Sequence, residues 1–450
     1  VQAVAITPTN RPESRGRWCL RDRAWPVYLS AYQITGREDF RAVAVETLDY
    51  VRREMTSPEG AFYSATDADS RAPSGHNEEG WFFTWTPAEL ELAAGPELGA
   101  TVGALYGVTR AGNFEGRSIL HLARPLPDVA NELGMPATRL REQITAAKAL
   151  LYEARRQRPA PIRDDKLLTS WNGLMIAAFA RGALVLGKAE YRDSAERAAA
   201  FILRELRAPD GQLLRSFRGE RSTLLGYLDD YAFLIQSLLD LFETSSDPAW
   251  LEQARALQAT LDRLYWDEAA GGYFMTSGGH EALLTRDKPS YDGAEPAGNS
   301  VAIMNLLRLA ELTAEASYRK RAEQALSAFA GELRRSPTAS PLMLSALEAY
   351  LDTPREVIIV VPESRSQAAP LLAAFQQSYL PNRFLVVATE GEALNRLTKL
   401  LPSLEGKHTL GRRATAFVCE RGLCERPTSD PATLTKQLQK VVPLAAPGIE

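Results

Sequence analysis

The chain has 450 residues, 45% hydrophobic and 24% charged, an ordinary globular composition with ample material for a core. Its formal net charge of -4 comes with Lys and Arg spread along the chain, which excludes the concentrated basic patch of a nucleic-acid surface. Its apolar runs fall short of the roughly 18 residues needed to cross a bilayer.

Nor does the N-terminus show the charged start, apolar stretch and small-residue cleavage site of a secretory signal. The three cysteines, Cys19, Cys419 and Cys424, are too few for a disulfide framework, so a reducing cytoplasm is expected. His76, His121, His280 and His408 lack metal-ligand spacing. No metal and no cofactor are expected.

Residues 1–27 form an atypical N-terminal segment. From there a long-period repeat runs along the chain. Segments starting at Gly36, Gly187, Ser246 and Ala314 each place an aromatic (Phe40, Tyr191, Trp250, Tyr318) at the start of a helix with one apolar stripe. These helices belong on the outside. The segments SWNGLMIAAFARGALVLG, LDDYAFLIQSLLDLFE and NSVAIMNLLRLAELT, before the last three, are apolar around almost the whole circumference. Such helices are buried on all sides. Alternation of inner and outer helices predicts a mainly α fold, an (α/α)6-type toroid of helical hairpins over residues 28–353.

Three outer helices are followed by Gly-aromatic tails, at 57–65, 209–217 and 268–276, which read as short strands. The run EEGWFFTW adds a strand-like piece at 78–85, and helices are expected near 87–106 and 137–157. From Pro354 the pattern changes. REVIIVV, RFLVVAT and ATAFVC read as strands, with helices at 366–379 and near 391–401 and 431–440, giving a small α/β unit over 354–450.

Polar residues gather where the inner helices begin. DDKLLTSWNG carries Asp164, Asp165, Ser170, Trp171 and Asn172. GYLDDYAF carries Tyr227, Asp229, Asp230 and Tyr231, and YDGAEPAGNS carries Tyr291, Asp292, Glu295 and Asn299. Inner helices of an alternating barrel start at one end, so the three clusters should converge on one mouth. Aromatic faces stack on sugar rings, amides and acids bind hydroxyls, and paired carboxylates serve as general acid and base. The candidate catalytic residues are therefore Asp229, Asp230, Asp292 and Glu295. The candidate substrate-binding residues are Asp165, Trp171, Asn172, Tyr227, Tyr231, Tyr291 and Asn299. Helix capping explains Asp164, Asp165 and Ser170 equally well, and one of Asp229 and Asp230 is expected to cap. His121 and His280 read as surface or core residues. The spacing of Cys419 and Cys424 departs from a CxxC redox motif, which argues against thiol exchange. FYSATDADS (62–70) lacks the spacing of an EF-hand and reads as a rim loop.

DDKLLTSWNGLMIAA, GYLDDYAFLI, YDGAEPAGNSVA, FYSATDADS with EGWFFTW, GNFEGRSILHL and ATAFVCERGLCERPT together resemble the thioredoxin-domain-containing family of spermatogenesis-associated protein 20 and its bacterial relatives, from about Tyr28 onward. The resemblance implies a six-hairpin barrel similar to those of N-acylglucosamine 2-epimerase and several glycosidases, joined to an N-terminal thioredoxin-like domain. It implies no particular reaction. The thioredoxin-like domain is absent from these residues, and 1–26 differ from the first barrel helix of the family, as an altered start would explain. Three readings follow: a carboxylate-based glycosidase-like enzyme, a sugar epimerase or isomerase, and a non-catalytic barrel that serves a thioredoxin-like partner. Epimerases of this barrel type use histidines, and none lies in the three inner-helix motifs. An epimerase reading therefore predicts an unexpected histidine or tyrosine pair in the cleft.

Overall fold

The structure, a computed structural model, describes residues 19–281 and 284–439. Contacts divide the chain into two compact units, one containing Ser64–Asp165 and the other Cys19–Tyr63 with Lys166 onward.

The larger unit opens with the hairpin α1 (Cys19–Thr35) and α2 (Glu38–Glu54). Helix α1 begins inside the segment set apart by composition, and residues 1–18 lie outside those described.

The smaller unit carries strands β1 (Ala65–Thr66), β2 (Asp69–Arg71) and β3 (Asn77–Glu79). Helices α3 (Pro87–Ala94), α4 (Pro96–Tyr106), α5 (Leu126–Glu132) and α6 (Ala137–Arg156) follow. Strand β4 (Arg163–Asp164) then pairs antiparallel with β1. Trp85, Leu90, Val102, Leu105, Val129, Leu140, Ile144 and Leu151 form its core. The helix expected over 87–106 is two helices, because Gly95 sits at φ +83 and Pro96 cannot continue a ladder. EEGWFFTW forms a strand only to Glu79 and then turns.

The larger unit resumes with β5 (Leu167–Leu168), α7 (Thr169–Leu186) and α8 (Ala189–Glu205). A ribbon of β6 (Ser216–Arg218) and β7 (Glu220–Arg221) leads to α9 (Leu228–Ser245) and α10 (Pro248–Tyr265). Then come α11 (Gly298–Thr313), α12 (Ala316–Arg335) and α13 (Pro341–Leu351), the last not anticipated from sequence. Helices α7, α9 and α11 are buried along nearly their whole surface, whereas α8, α10 and α12 bury one stripe. Helix α9 packs between α7 and α11, and α11 also packs on α13. These are inner and outer helices of the six-hairpin toroid class, with four complete hairpins and a fifth inner helix among the described residues of this unit. Backbones of α7 and α9 approach closely, since a Cβ on Gly173 would stand 2.6 Å from the Phe233 carbonyl carbon.

One left-handed residue joins each inner helix to its outer partner: Gly36, Gly187, Ser246 and Ala314, at φ +65, +68, +57 and +57. The three Gly-aromatic tails are strands only in part, where Ala65 opens β1 and Ser216 and Phe217 lie in β6. They begin as tight turns, bridged at Thr56–Phe62, Arg207–Leu213 and Trp266–Tyr273. The Phe62, Leu213 and Tyr273 N–H groups turn to inner-helix side chains, while Ser64 and Arg215 donate to the Asp164 and Leu224 carbonyls.

The C-terminal part of this unit comprises β8 (Arg355–Val361), α14 (Ala369–Gln376), β9 (Arg383–Thr389), α15 (Glu392–Leu400), β10 (Thr415–Glu420), β11 (Leu423–Cys424) and α16 (Pro431–Leu438). The sheet order is β11-β10-β8-β9, with β8 and β9 parallel. Its core of Val357, Ile359, Val361, Leu385, Val387 and Val418 includes Leu184 from the end of α7. Arg365 donates to the Thr244 and Ser245 carbonyls at the end of α9, and buried Arg383 pairs with Glu243 at 3.4 Å. The sheet is thus fastened to the C-terminal ends of inner helices and leaves their N-terminal ends to the polar clusters.

Candidate functional site

The starts of α7, α9 and α11 meet, as their order in an alternating barrel predicts. Asp230 is fully buried and holds the meeting point. Its Oδ2 accepts the Tyr227 N–H at 2.8 Å, and its Oδ1 accepts the Ser170 N–H of α7, also at 2.8 Å. Arg215 Nη1 donates to both oxygens at 2.9 Å. Burial pushes this carboxyl up, and Arg215 opposes the rise. With its lone pairs so engaged, Asp230 caps α9 and ties it to α7 instead of taking the catalytic part expected for it.

Asp229, one residue earlier, has the opposite situation. Its Oδ1 is buried and has no hydrogen-bond partner among the described residues. Burial is the main cause of a carboxyl pushed up to about 7, reinforced by the charges of Asp230 and Glu295 and opposed by Arg215 and the Gly298 amide. Gly298 makes this placement possible, because a Cβ there would fall 2.4 Å from Asp229 Oδ1. Glu295, half-buried, accepts the Trp171 indole N–H at 2.8 Å. Three inner-helix starts therefore combine in one group. Helix α9 contributes Asp229, α11 contributes Gly298 and its lead-in Glu295, and α7 contributes Trp171. Trp171 serves as a donor to Glu295, beyond the stacking platform expected of it.

Several expected ligand contacts are spoken for by backbone. Asn172 accepts the Phe62 N–H at 2.8 Å and donates to the Phe62 and Leu168 carbonyls. Asn299 accepts the Tyr273 N–H at 2.8 Å and donates to the Tyr273 and Pro289 carbonyls. The Tyr231 hydroxyl accepts the Leu213 N–H at 2.8 Å. Phe62, Leu213 and Tyr273 close the bridges of the three tails, so a residue in the first turn of each of α7, α9 and α11 latches the preceding tail. Asp292 accepts the Ala297 N–H at 2.8 Å and the Leu342 N–H at 2.7 Å, capping α11 and α13 rather than facing a ligand. Asp165 belongs to the smaller unit and pairs with Arg163 at 2.6 Å. Tyr227 is half-buried and Tyr291 is 71% exposed.

Two residues at the site escaped sequence reasoning. Arg215 lies in a tail rather than at a helix start, and its guanidinium sits 5.3 Å from the Tyr227 ring centroid. His280 stacks on Tyr227, with centroids 5.1 Å apart and planes at 29°. Its Nδ1 accepts the Ser277 N–H at 3.1 Å and lies 2.9 Å from Ser277 Oγ. The backbone donor requires Nδ1 to be unprotonated, so the neutral ring carries its proton on Nε2. Nε2 is buried with no partner among the described residues. The signal available was a histidine just after a tail, visible only once the tails are known to latch onto the inner-helix starts. His121, by contrast, contacts Asn113 and the Ile119 carbonyl in the smaller unit.

Among the described residues, no group of three or more His, Cys, Asp or Glu is placed to hold a metal ion, and no helix is long and apolar enough to cross a membrane.

No family model matches the chain. Among curated proteins, it is 36% identical over 442 residues to spermatogenesis-associated protein 20 of Homo sapiens, covering 92% of this chain and 56% of that protein. The Rattus norvegicus protein of the same name is 35% identical over 448 residues, with the same coverage of 92% and 56%. The chain is thus a homologue of these proteins that spans about half their length. Among solved structures, a sugar epimerase from a ruminal bacterium is 11% identical, covers 70% of this chain and 60% of its own, and has a TM-score of 0.41. A D-mannose isomerase is 14% identical, with coverage of 71% and 76% and a TM-score of 0.38. Scores at this level add nothing to what the hairpin order already establishes.

Proposed function

We propose that this homologue of spermatogenesis-associated protein 20 processes a sugar-like ligand at the meeting point of α7, α9 and α11. Asp229 acts as general acid and Glu295 as its partner carboxylate. The observation that carries the reading is Asp229: a buried Oδ1 without a partner, on a carboxyl pushed up to about 7 beside a second carboxylate. Paired titratable groups in environments that hold them apart are how acid and base parts are divided. A carboxyl of this kind keeps its proton near neutrality and can give it to a leaving oxygen. Trp171 orients Glu295, while exposed Tyr291 offers a ring for stacking. Asp230 and Asp292 take no chemical step in this account.

A second reading, epimerisation or isomerisation, is favoured by one specific observation, the stacked Tyr227–His280 pair. Its Nε2–H can donate to a substrate oxygen while Glu295 or Asp229 moves a carbon-bound proton.

A thermal-shift panel of monosaccharides, disaccharides, sugar acids and N-acetylated sugars identifies ligands. One present at 100 times its dissociation constant stabilises by about 2.7 kcal/mol. With a ligand in hand, turnover in deuterated water separates the readings. Hydrolysis leaves carbon-bound hydrogen untouched, and epimerisation or isomerisation through a carbon-bound proton exchanges it. In either case Asp229→Asn and Glu295→Gln should each lower kcat by about 100-fold or more. Binding and turnover left intact by both substitutions would sink the proposal.

A further inference from the structure

Cys419 and Cys424 lie at one edge of the C-terminal sheet, on β10 and β11. Their sequence spacing argued against thiol exchange, but the hairpin brings them face to face. They are direct cross-strand partners, joined as a disulfide. Arg421 and Gly422 form the two-residue turn between the strands, both left-handed at φ 50 and 76, as a type I′ hairpin requires. The Glu425 N–H donates to the Val418 carbonyl at 2.9 Å just beyond the pair. The cysteines therefore occupy a non-hydrogen-bonded position, where antiparallel strands come closest; their Cα atoms are 3.9 Å apart.

The two sulfur-bearing residues differ in access. Cys419 is 1% exposed and its strand is paired on the other side with β8, where it faces Glu356. Cys424 is exposed, next to Leu423 at 80% exposure. The loop they close is already closed by backbone. Beyond the Glu425–Val418 bond, Ala416 and Thr428 exchange two hydrogen bonds at 2.7 and 3.0 Å. A covalent bond across a short loop that the sheet already holds adds little restraint to the fold. Breaking it leaves the two thiols opposed and ready to close again.

We propose that Cys419–Cys424 is a thiol–disulfide exchange site whose substrate class is a dithiol. A thiolate of the dithiol attacks Cys424 Sγ, the accessible sulfur. The S–S bond breaks, and Cys419 leaves as a thiolate that takes up a proton. The dithiol's second thiol then attacks its own sulfur in the mixed disulfide and releases Cys424 as a thiol. Two electrons and two protons have moved to the cysteine pair, and the partner has become a disulfide. The reverse sequence oxidises the partner. This site is independent of the carboxylates and stands or falls separately from them.

The test uses the full chain carrying Cys19→Ser, so that only the pair reports. Native protein is incubated with dithiothreitol, alkylated and weighed. The expected result is two newly alkylated thiols without denaturant and a Tm within about 2 °C of the oxidised form, less than a structural staple would cost. In the Cys419→Ser background, Cys424 should form a mixed disulfide with oxidised glutathione. In the Cys424→Ser background, Cys419 should stay unmodified. Three results would overturn the proposal: reduction only after denaturation, a large fall in Tm on reduction, or a Cys424 inert to oxidised glutathione.

Discussion

Asp229 and Asp230 are adjacent carboxylates with opposite surroundings, and the difference follows from how many donors each one meets. Asp230 receives two backbone N–H groups and both bonds from Arg215. Asp229 has an oxygen that meets none among the described residues. Removing the first should cost stability and removing the second should add it. Asp230→Ala leaves the buried Ser170 N–H and half-buried Arg215 without their partner, a loss of about 3 kcal/mol in chemical denaturation. For Asp229 the sign runs the other way. Its folded carboxyl sits at about 7, above the roughly 3.9 of an unfolded aspartate. The folded state thus keeps a proton that the unfolded state gives up. This stabilisation is complete below about pH 4 and is lost as pH rises through about 7. Asp229→Asn should therefore flatten the fall in Tm between pH 5 and 8 and raise Tm at pH 8. An unchanged pH profile would contradict the assignment.

At the scale of elements, the hairpins repeat one construction: an inner helix, a left-handed residue, an outer helix and a tail latched to the next inner helix. The left-handed position is glycine at Gly36 and Gly187 but alanine at Ala314, with φ +57. A Cβ in that conformation costs roughly 1–2 kcal/mol, partly offset by the entropy glycine brings to the unfolded chain. Ala314→Gly should raise stability by about 0.5–1 kcal/mol, read from the denaturation midpoint. A loss would mean that the turn gains more from the methyl group than the backbone conformation costs. The helical periods were legible in the sequence because burial repeats every turn and is written in neighbouring residues. The latches were not. Asn172 binds a backbone group 110 residues away, and no local pattern distinguishes that use from ligand binding. Tight tails look like strands for the same reason: alternation is visible, and the side chain that replaces a strand partner is remote.

At the scale of the molecule, the order of hairpins places the polar ends of three inner helices together, and the C-terminal sheet takes the other ends of α7 and α9. The first of these follows from alternation alone, since every inner helix then starts at the same end. What composition at those starts left open was which polar groups work and which hold. The structure shows five of the expected residues, Asp230, Asn172, Asn299, Tyr231 and Asp292, bonded to main-chain N–H groups. Asp229 Oδ1 accepts no hydrogen bond among the described residues and Glu295 accepts only a side-chain N–H, from Trp171, which is why the proposal gives them the chemistry; Arg215 and His280 join them from the segments between the hairpins. The cysteine pair was missed by a related route, because a spacing rule for helical redox motifs does not cover partners across a two-residue turn.

The proton held by Asp229 is central to the proposed chemistry. The most direct measurement is a carboxyl titration by 13C NMR of the native chain, with the Asp229→Asn variant recorded alongside to assign the resonance. The account predicts a carboxyl that titrates at about 7 and is absent from the variant. A resonance that titrates near 4, as an exposed aspartate does, would contradict it.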